Sequence, residues 1–285
     1  MRDRQFPKYH RLRDQITCMN ETLPLAHRIS ICTDRTFIPL NRIMGIDTRF
    51  FGPSGWQLFH LIAFRSPHPA EVLLMMKDVL PCKFCRKSTT EFVKKHPLGE
   101  DAGKWLYEIH NMVNDKLRTQ CKDDDNVTDP GVDPSFEEVK DRYMSMKPTE
   151  IPGRDFLFSV ASNYPTSPDE SDMARQRMFM EKLAEVYPFG KFRSVFKQYL
   201  KKHPVELPNR KGYMKWMYGL LYELSSVIKI EIPSYRGYSQ RVLYYTSGCE
   251  SKKYKGKTCR RINGGFTKER DSKRTQRITR ASMLT

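Results

Sequence analysis

Two cysteines three residues apart, Cys82 and Cys85 in Leu80-Pro81-Cys82-Lys83-Phe84-Cys85, have the spacing of a redox pair. On a helix that opens at Pro81 they lie one turn apart. A thiolate at a helix mouth is favoured by the unpaired N–H groups there, and Lys83 and Arg86 add positive charge. Such a pair exchanges disulfides with incoming thiols. A structural zinc site would need two more close ligands, and no second CxxC or HxxxH exists, so no metal is expected. Two further clusters share this stretch. Gly52-Pro53-Ser54-Gly55-Trp56-Gln57-Leu58-Phe59-His60 aligns Trp56 and His60 at i, i+4, and His110-Asn111-Met112-Val113-Asn114 aligns His110 and Asn114 in the same way. Two faces that combine aromatic and hydrogen-bonding groups can converge on one planar ligand held between helices.

Helices supply the positioning. Ser54–Phe64, Ala70–Val79, a stretch from the CxxC to about Lys95, one from Ala102 to Leu117, and Ser135–Met146 read as five helices punctuated by prolines and polar caps. An acidic loop, Lys122–Pro134, separates the last two. Lys147-Pro148-Thr149-Glu150-Ile151-Pro152-Gly153 marks a boundary, after which Asp169–Tyr187, Lys191–Lys202 and Arg210–Ile228 carry helical periodicity. The pattern reveals no internal repeat. The chain is therefore expected to be all-α: a basic extension over 1–45, a helical bundle over 46–150, a mainly helical second domain over 151–250 and a mobile basic tail over 251–285.

The 285 residues carry 50 Lys+Arg against 33 Asp+Glu, a net charge of +17. Twelve of the basic residues and only two acidic ones fall in 251–285, so that segment supplies +10 of the +17. It suits salt-sensitive contact with nucleic acid, or simply solubility. No apolar run is long enough to span a membrane, and no apolar h-region follows the N-terminal charges. The expectation is a protein neither secreted nor membrane-bound. The seven cysteines are too sparse for a disulfide-stapled scaffold, and their odd number leaves one thiol over.

The ordered set Gly52/Trp56/His60, then Leu80-Pro81-Cys82-Lys83-Phe84-Cys85, then Trp105-Leu106 through His110-Asn111-Met112-Val113-Asn114-Asp115-Lys116-Leu117 resembles the Erv/ALR family of FAD-linked sulfhydryl oxidases over roughly residues 49–146. The longer chain is similar to the versions carried by large DNA viruses. The resemblance implies four helices plus a short fifth cradling FAD, in a homodimer. It implies oxidation of protein dithiols to disulfides with oxygen reduced to hydrogen peroxide. Cys85 then becomes the cysteine against the flavin and Cys82 the one that meets incoming thiols. Gly52, Trp56, His60, His110, Asn111, Val113, Asn114, Lys116 and Leu117 become flavin contacts. Tyr107 stands where many members have a cysteine, which leaves Cys121 without its usual disulfide partner. Pro53 replaces a frequent arginine. A shuttle pair is drawn from Cys18/Cys32 or Cys249/Cys259, with the second preferred because it begins the tail. Location follows as the cytosol, or host cytoplasm and virion if the source is viral. The alternative is a nucleic-acid-binding or virion structural protein that uses the bundle as an inactive scaffold. A flavin-free thioredoxin-like exchanger lacks the βαβ pattern it needs.

Overall fold

A computed structural model describes residues 45–260 apart from 125, 126, 252, 253 and 257. Ten helices and one isolated bridge, Ile46 with Thr246, make up the regular structure among the described residues. They are α1 (Thr48–Arg65), α2 (Ala70–Val79), α3 (Lys83–Lys95), α4 (Ala102–Cys121), α5 (Phe136–Ser145), α6 (Arg154–Ser162), α7 (Glu170–Val186), α8 (Gly190–Lys202), α9 (Arg210–Ser226) and α10 (Tyr235–Tyr244). The all-helical class is as expected from the sequence.

Local chemistry explains most of the boundaries. The Asp47 carboxylate accepts from the Arg49 N–H and starts α1, six residues before the Ser54 start read from sequence. Pro53 therefore lies inside the helix rather than opening it. Asp101, Asn209 and Ser234 cap α4, α9 and α10 with side-chain oxygens. Ser135 with Glu138, and Asp169 with Asp172, close full capping boxes on α5 and α7. The sequence pattern does not predict the short helices α6 and α10.

The core is continuous. α1 is central, packing on α4 and α5 on one side and along α6 on another, while α2 lies against α3 and α7. Phe156 of α6 is fully buried and meets Phe59 edge-on at 5.1 Å. Gly153, at φ 74°, precedes α6 in the left-handed region, and a Cβ there would sit 2.5 Å from the Leu58 side chain. Glycine is required at this position both for its backbone angle and for the close approach of α1. Burial of these large apolar groups fixes how α1 lies, and α1 carries three of the residues singled out above, Gly52, Trp56 and His60.

Candidate functional site

Cys82 is the N-cap of α3, and its Sγ accepts from the Cys85 N–H at 3.1 Å. The two cysteines form a disulfide, with Cα atoms 5.2 Å apart. Cys82 is wholly buried and Cys85 only partly so. The Arg86 guanidinium donates to the Leu80 carbonyl at 2.7 Å and pairs with Glu250 at 2.8 Å, so its charge is matched by a distant carboxylate.

Glu250 belongs to a loop closed by a Cys249–Cys259 disulfide, whose two cysteines are both 0% exposed. The loop lies on the mouth of α3. Tyr254 packs beside Phe84, between the two cysteines, and the Pro81 carbonyl accepts from the Ile46 N–H at 3.0 Å. The Cys259 carbonyl accepts from the Thr48 N–H at 3.0 Å, anchoring the loop to α1. This corrects the expectation that Cys249 and Cys259 begin a swinging tail. Closure by the disulfide and burial against α1 and α3 hold them in place. The boundary drawn at residue 251 passes through this packed loop. Cys18, Cys32 and residues 261–285 lie outside the described residues.

The second cluster is built by α1, α4 and α5. Trp56 stacks on His110 with ring centroids 3.9 Å apart, and His60 Nε2 lies 2.9 Å from His110 Nδ1. Tyr143 of α5 stacks on the other histidine, His60, at 4.7 Å. Burial, helped by the His110 charge, pushes the His60 imidazole down to about 3. Burial likewise lowers His110 to about 4 against the opposing pull of Asp133. Both rings are neutral at physiological pH. His60 Nδ1 is buried with no hydrogen-bond partner among the described residues. An orphaned buried nitrogen costs free energy unless a ligand satisfies it.

The remaining residues proposed from the sequence are distributed around this cluster. Asn114 donates to Asp133 at 2.6 Å, and Asp133 pairs with Arg118 at 2.6 Å. Lys116 donates to Ser88 Oγ at 2.7 Å, tying α4 to the helix of the CxxC. Asn111, Val113 and Leu117 are half-buried on α4. Gly52 lies one turn before Trp56, and a Cβ on it would meet no atom within 4 Å. Space is thus left open beside the aromatic cluster. Cys121 is a free thiol whose Sγ donates to the Arg118 carbonyl at 3.1 Å. Tyr107, at the position expected of its partner, donates to the Pro134 carbonyl instead. No group of three or more metal-ligating side chains occurs among the described residues. Tyr143, Asp133, Glu250 and Tyr254 were not foreseen, because each reaches the site from a distant segment with no spacing signal.

A disulfide at a helix mouth and a buried aromatic and histidine site thus lie on one helical bundle. Residues 53–131 match the Erv1 / Alr family model. Over 85 residues the chain is 28% identical to the "Mitochondrial FAD-linked sulfhydryl oxidase ERV1" of Saccharomyces cerevisiae, a match covering 25% of this chain and 45% of that one. The chain thus spans less than half the length of that relative. No solved structure matches it.

Proposed function

We propose that this protein is an FAD-dependent thiol oxidase that converts protein dithiols to disulfides. The observation that carries the reading is the pairing, in one bundle, of the Cys82–Cys85 disulfide at the mouth of α3 with the Trp56/His60/His110 site and its unsatisfied nitrogen. The donor set suits a flavin nucleotide. His60 Nδ1 offers a hydrogen-bonding atom without a partner, Trp56 and Tyr143 offer flat faces, Lys116 offers charge for a phosphate, and Gly52 leaves space. His110, Asn111, Val113, Asn114 and Leu117 complete the proposed contacts.

The chain's own residues exchange disulfides. A substrate thiolate attacks the sulfur of Cys82, the S–S bond breaks, and Cys85 leaves as a thiolate. A second substrate thiol, deprotonated, attacks the mixed disulfide and releases Cys82. The substrate is oxidised by two electrons and the pair is left as two thiols. The Cys85 N–H held on Cys82 Sγ and the N-terminus of α3 stabilise negative charge on Cys82 when the second exchange releases it. A bound FAD would supply the two-electron acceptor for this dithiol, with oxygen as the terminal acceptor giving hydrogen peroxide.

For a folded protein substrate, which cannot reach the buried Cys82, Cys249–Cys259 is the proposed relay: its dithiol, reduced by the substrate, makes this attack in the substrate's place and is left as a disulfide. The basic 261–285 segment is proposed as a separate anchor for polyanions; no apolar helix able to cross a membrane occurs among the described residues.

The test is an absorption spectrum of the purified protein with dithiol-dependent oxygen uptake. Flavin bands and uptake support the oxidase. A colourless protein that binds DNA through its basic segment supports the scaffold reading instead.

A further inference from the structure

The ten helices form two sets of five in the same order. Gly55–Pro67 aligns without a gap with Gly153–Pro165. Pro81–Leu98 aligns with Pro188–Val205, sharing Lys-Lys-His-Pro at 94–97 and 201–204. Both α3 and α8 have 13 residues, and both α5 and α10 have 10.

Side-chain contacts repeat with the helices. Trp105 Nε1 donates to the His96 carbonyl at 2.8 Å, and Trp216 Nε1 to the His203 carbonyl at 3.0 Å. Tyr107 donates to the Pro134 carbonyl at 2.9 Å, and Tyr218 to the Pro233 carbonyl at 3.0 Å. Phe92 meets Trp105 edge-on at 5.8 Å, as Tyr199 meets Trp216 at 5.3 Å. Tyr107 meets Phe136 at 5.6 Å, as Tyr218 meets Tyr235 at 5.5 Å. Ser135 and Ser234 cap corresponding helices. Ordinary helix packing requires none of these pairings, and their joint recurrence in register marks a duplicated bundle. The absence of a repeat inferred from the sequence is thereby corrected.

The two copies also meet reciprocally. Gly55 faces Phe156, and Gly153 faces Leu58. In the shared register Gly55 corresponds to Gly153 and Leu58 to Phe156, so each copy offers the other the same patch. α1 lies on its counterpart α6, and α2 on its counterpart α7. Reciprocal contact of equivalent patches is the geometry of a two-fold dimer interface. Here one chain supplies both sides.

The second copy has no redox chemistry of its own. Phe189 and Phe192 stand at the positions of Cys82 and Cys85, Arg154 and Phe158 at those of Trp56 and His60, and Leu221 at that of His110. Phe158 packs edge-on against Tyr238 at 4.4 Å and fills the interior with hydrocarbon.

We propose that residues 153–245 are a silent second bundle that acts as a built-in partner subunit for residues 48–145. The α1–α2 face is satisfied within the chain, so it is closed to a second copy, in place of the homodimer that the resemblance implies, and each chain carries a single flavin site. The second bundle supports the first from beneath: Phe156 seats against Gly55, next to Trp56.

Thermal unfolding of the full chain over a hundredfold range of protein concentration tests this directly. A tethered partner has a concentration fixed by the chain, so Tm is expected to stay constant. A Tm that climbs with protein concentration overturns the proposal, because the partner would then come from another molecule. Phe156→Ala is expected to lower Tm; an unchanged Tm removes the supporting role. Titration with FAD is expected to saturate at one per chain, and two per chain overturns the silence of the second copy. Failure to bind any FAD defeats the oxidase reading while the unfolding series still decides this one.

Discussion

Replacing His60 and His110 together, as His60→Phe/His110→Leu, should remove most of the protein's sensitivity to mild acid. The second bundle already carries Phe158 and Leu221 at these positions, so the bundle accommodates the new side chains. Burial holds His60 near about 3 and His110 near about 4, against 6.5 for a free imidazole. The folded state favours the neutral rings. Their stabilising contribution is therefore complete above the unfolded value and is lost as pH falls, because the unfolded chain takes up protons that the folded chain refuses. At pH 5, between the folded and unfolded values, each histidine contributes a loss of about 2 kcal/mol relative to neutral pH, or about 4 kcal/mol for the pair. Guanidinium unfolding of the flavin-free protein near neutral pH and at pH 5 gives the two free energies. The wild type should lose about 4 kcal/mol more than the double variant between these conditions. Equal losses would refute the claim that both rings are buried and neutral.

Other consequences follow from the same geometry. Cys85→Ser should retain FAD but show no flavin bleaching by dithiols in anaerobic stopped-flow. Cys82→Ser should also block turnover, and a long-wavelength absorbance from unpaired Cys85 beside the flavin would identify which sulfur faces the ring. Gly153→Ala should lower stability by about 3 kcal/mol, since it combines a left-handed backbone with a clash against Leu58. Gly52→Ala, whose Cβ meets nothing, should instead stabilise the flavin-free protein by about 0.5–1 kcal/mol while weakening FAD retention. Cys259→Ser spares every charge, so it should slow oxidation of a folded protein substrate with FAD content unchanged; equal rates would eliminate the relay.

Much of the first bundle is written in local chemistry. Asp101 and Ser135 announce helix starts, and Pro67, Pro81 and Pro97 announce the breaks between helices. The CxxC and the i, i+4 pairs mark which faces carry chemistry. What local pattern lacks is contact across distance. Tyr143 stacks on His60 from α5, and nothing in its own neighbourhood assigns it there. α6 escaped notice because Phe156 to Ala161 are all buried, leaving no polar face to set a period. The Gly52-Pro53-Ser54 run resembles a helix start in sequence, whereas Asp47 caps α1 and Pro53 lies inside it. Charge obscured the 249–259 loop: its lysines read as a tail, while its closure depends on a disulfide and on Glu250 reaching Arg86. The duplication was hidden for a different reason. Its signature rests on a few framework residues, and the positions that do chemistry in the first copy are hydrocarbon in the second.

In the proposed function, dithiol electrons pass through the Cys82–Cys85 pair to a flavin held by this bundle. Anaerobic addition of a dithiol to the purified, FAD-loaded full chain tests it in one spectrum. The flavin bands are expected to bleach as the dithiol is oxidised, and the colour to return with hydrogen peroxide formed when air is admitted. Flavin that stays oxidised while the dithiol remains unreacted would contradict it.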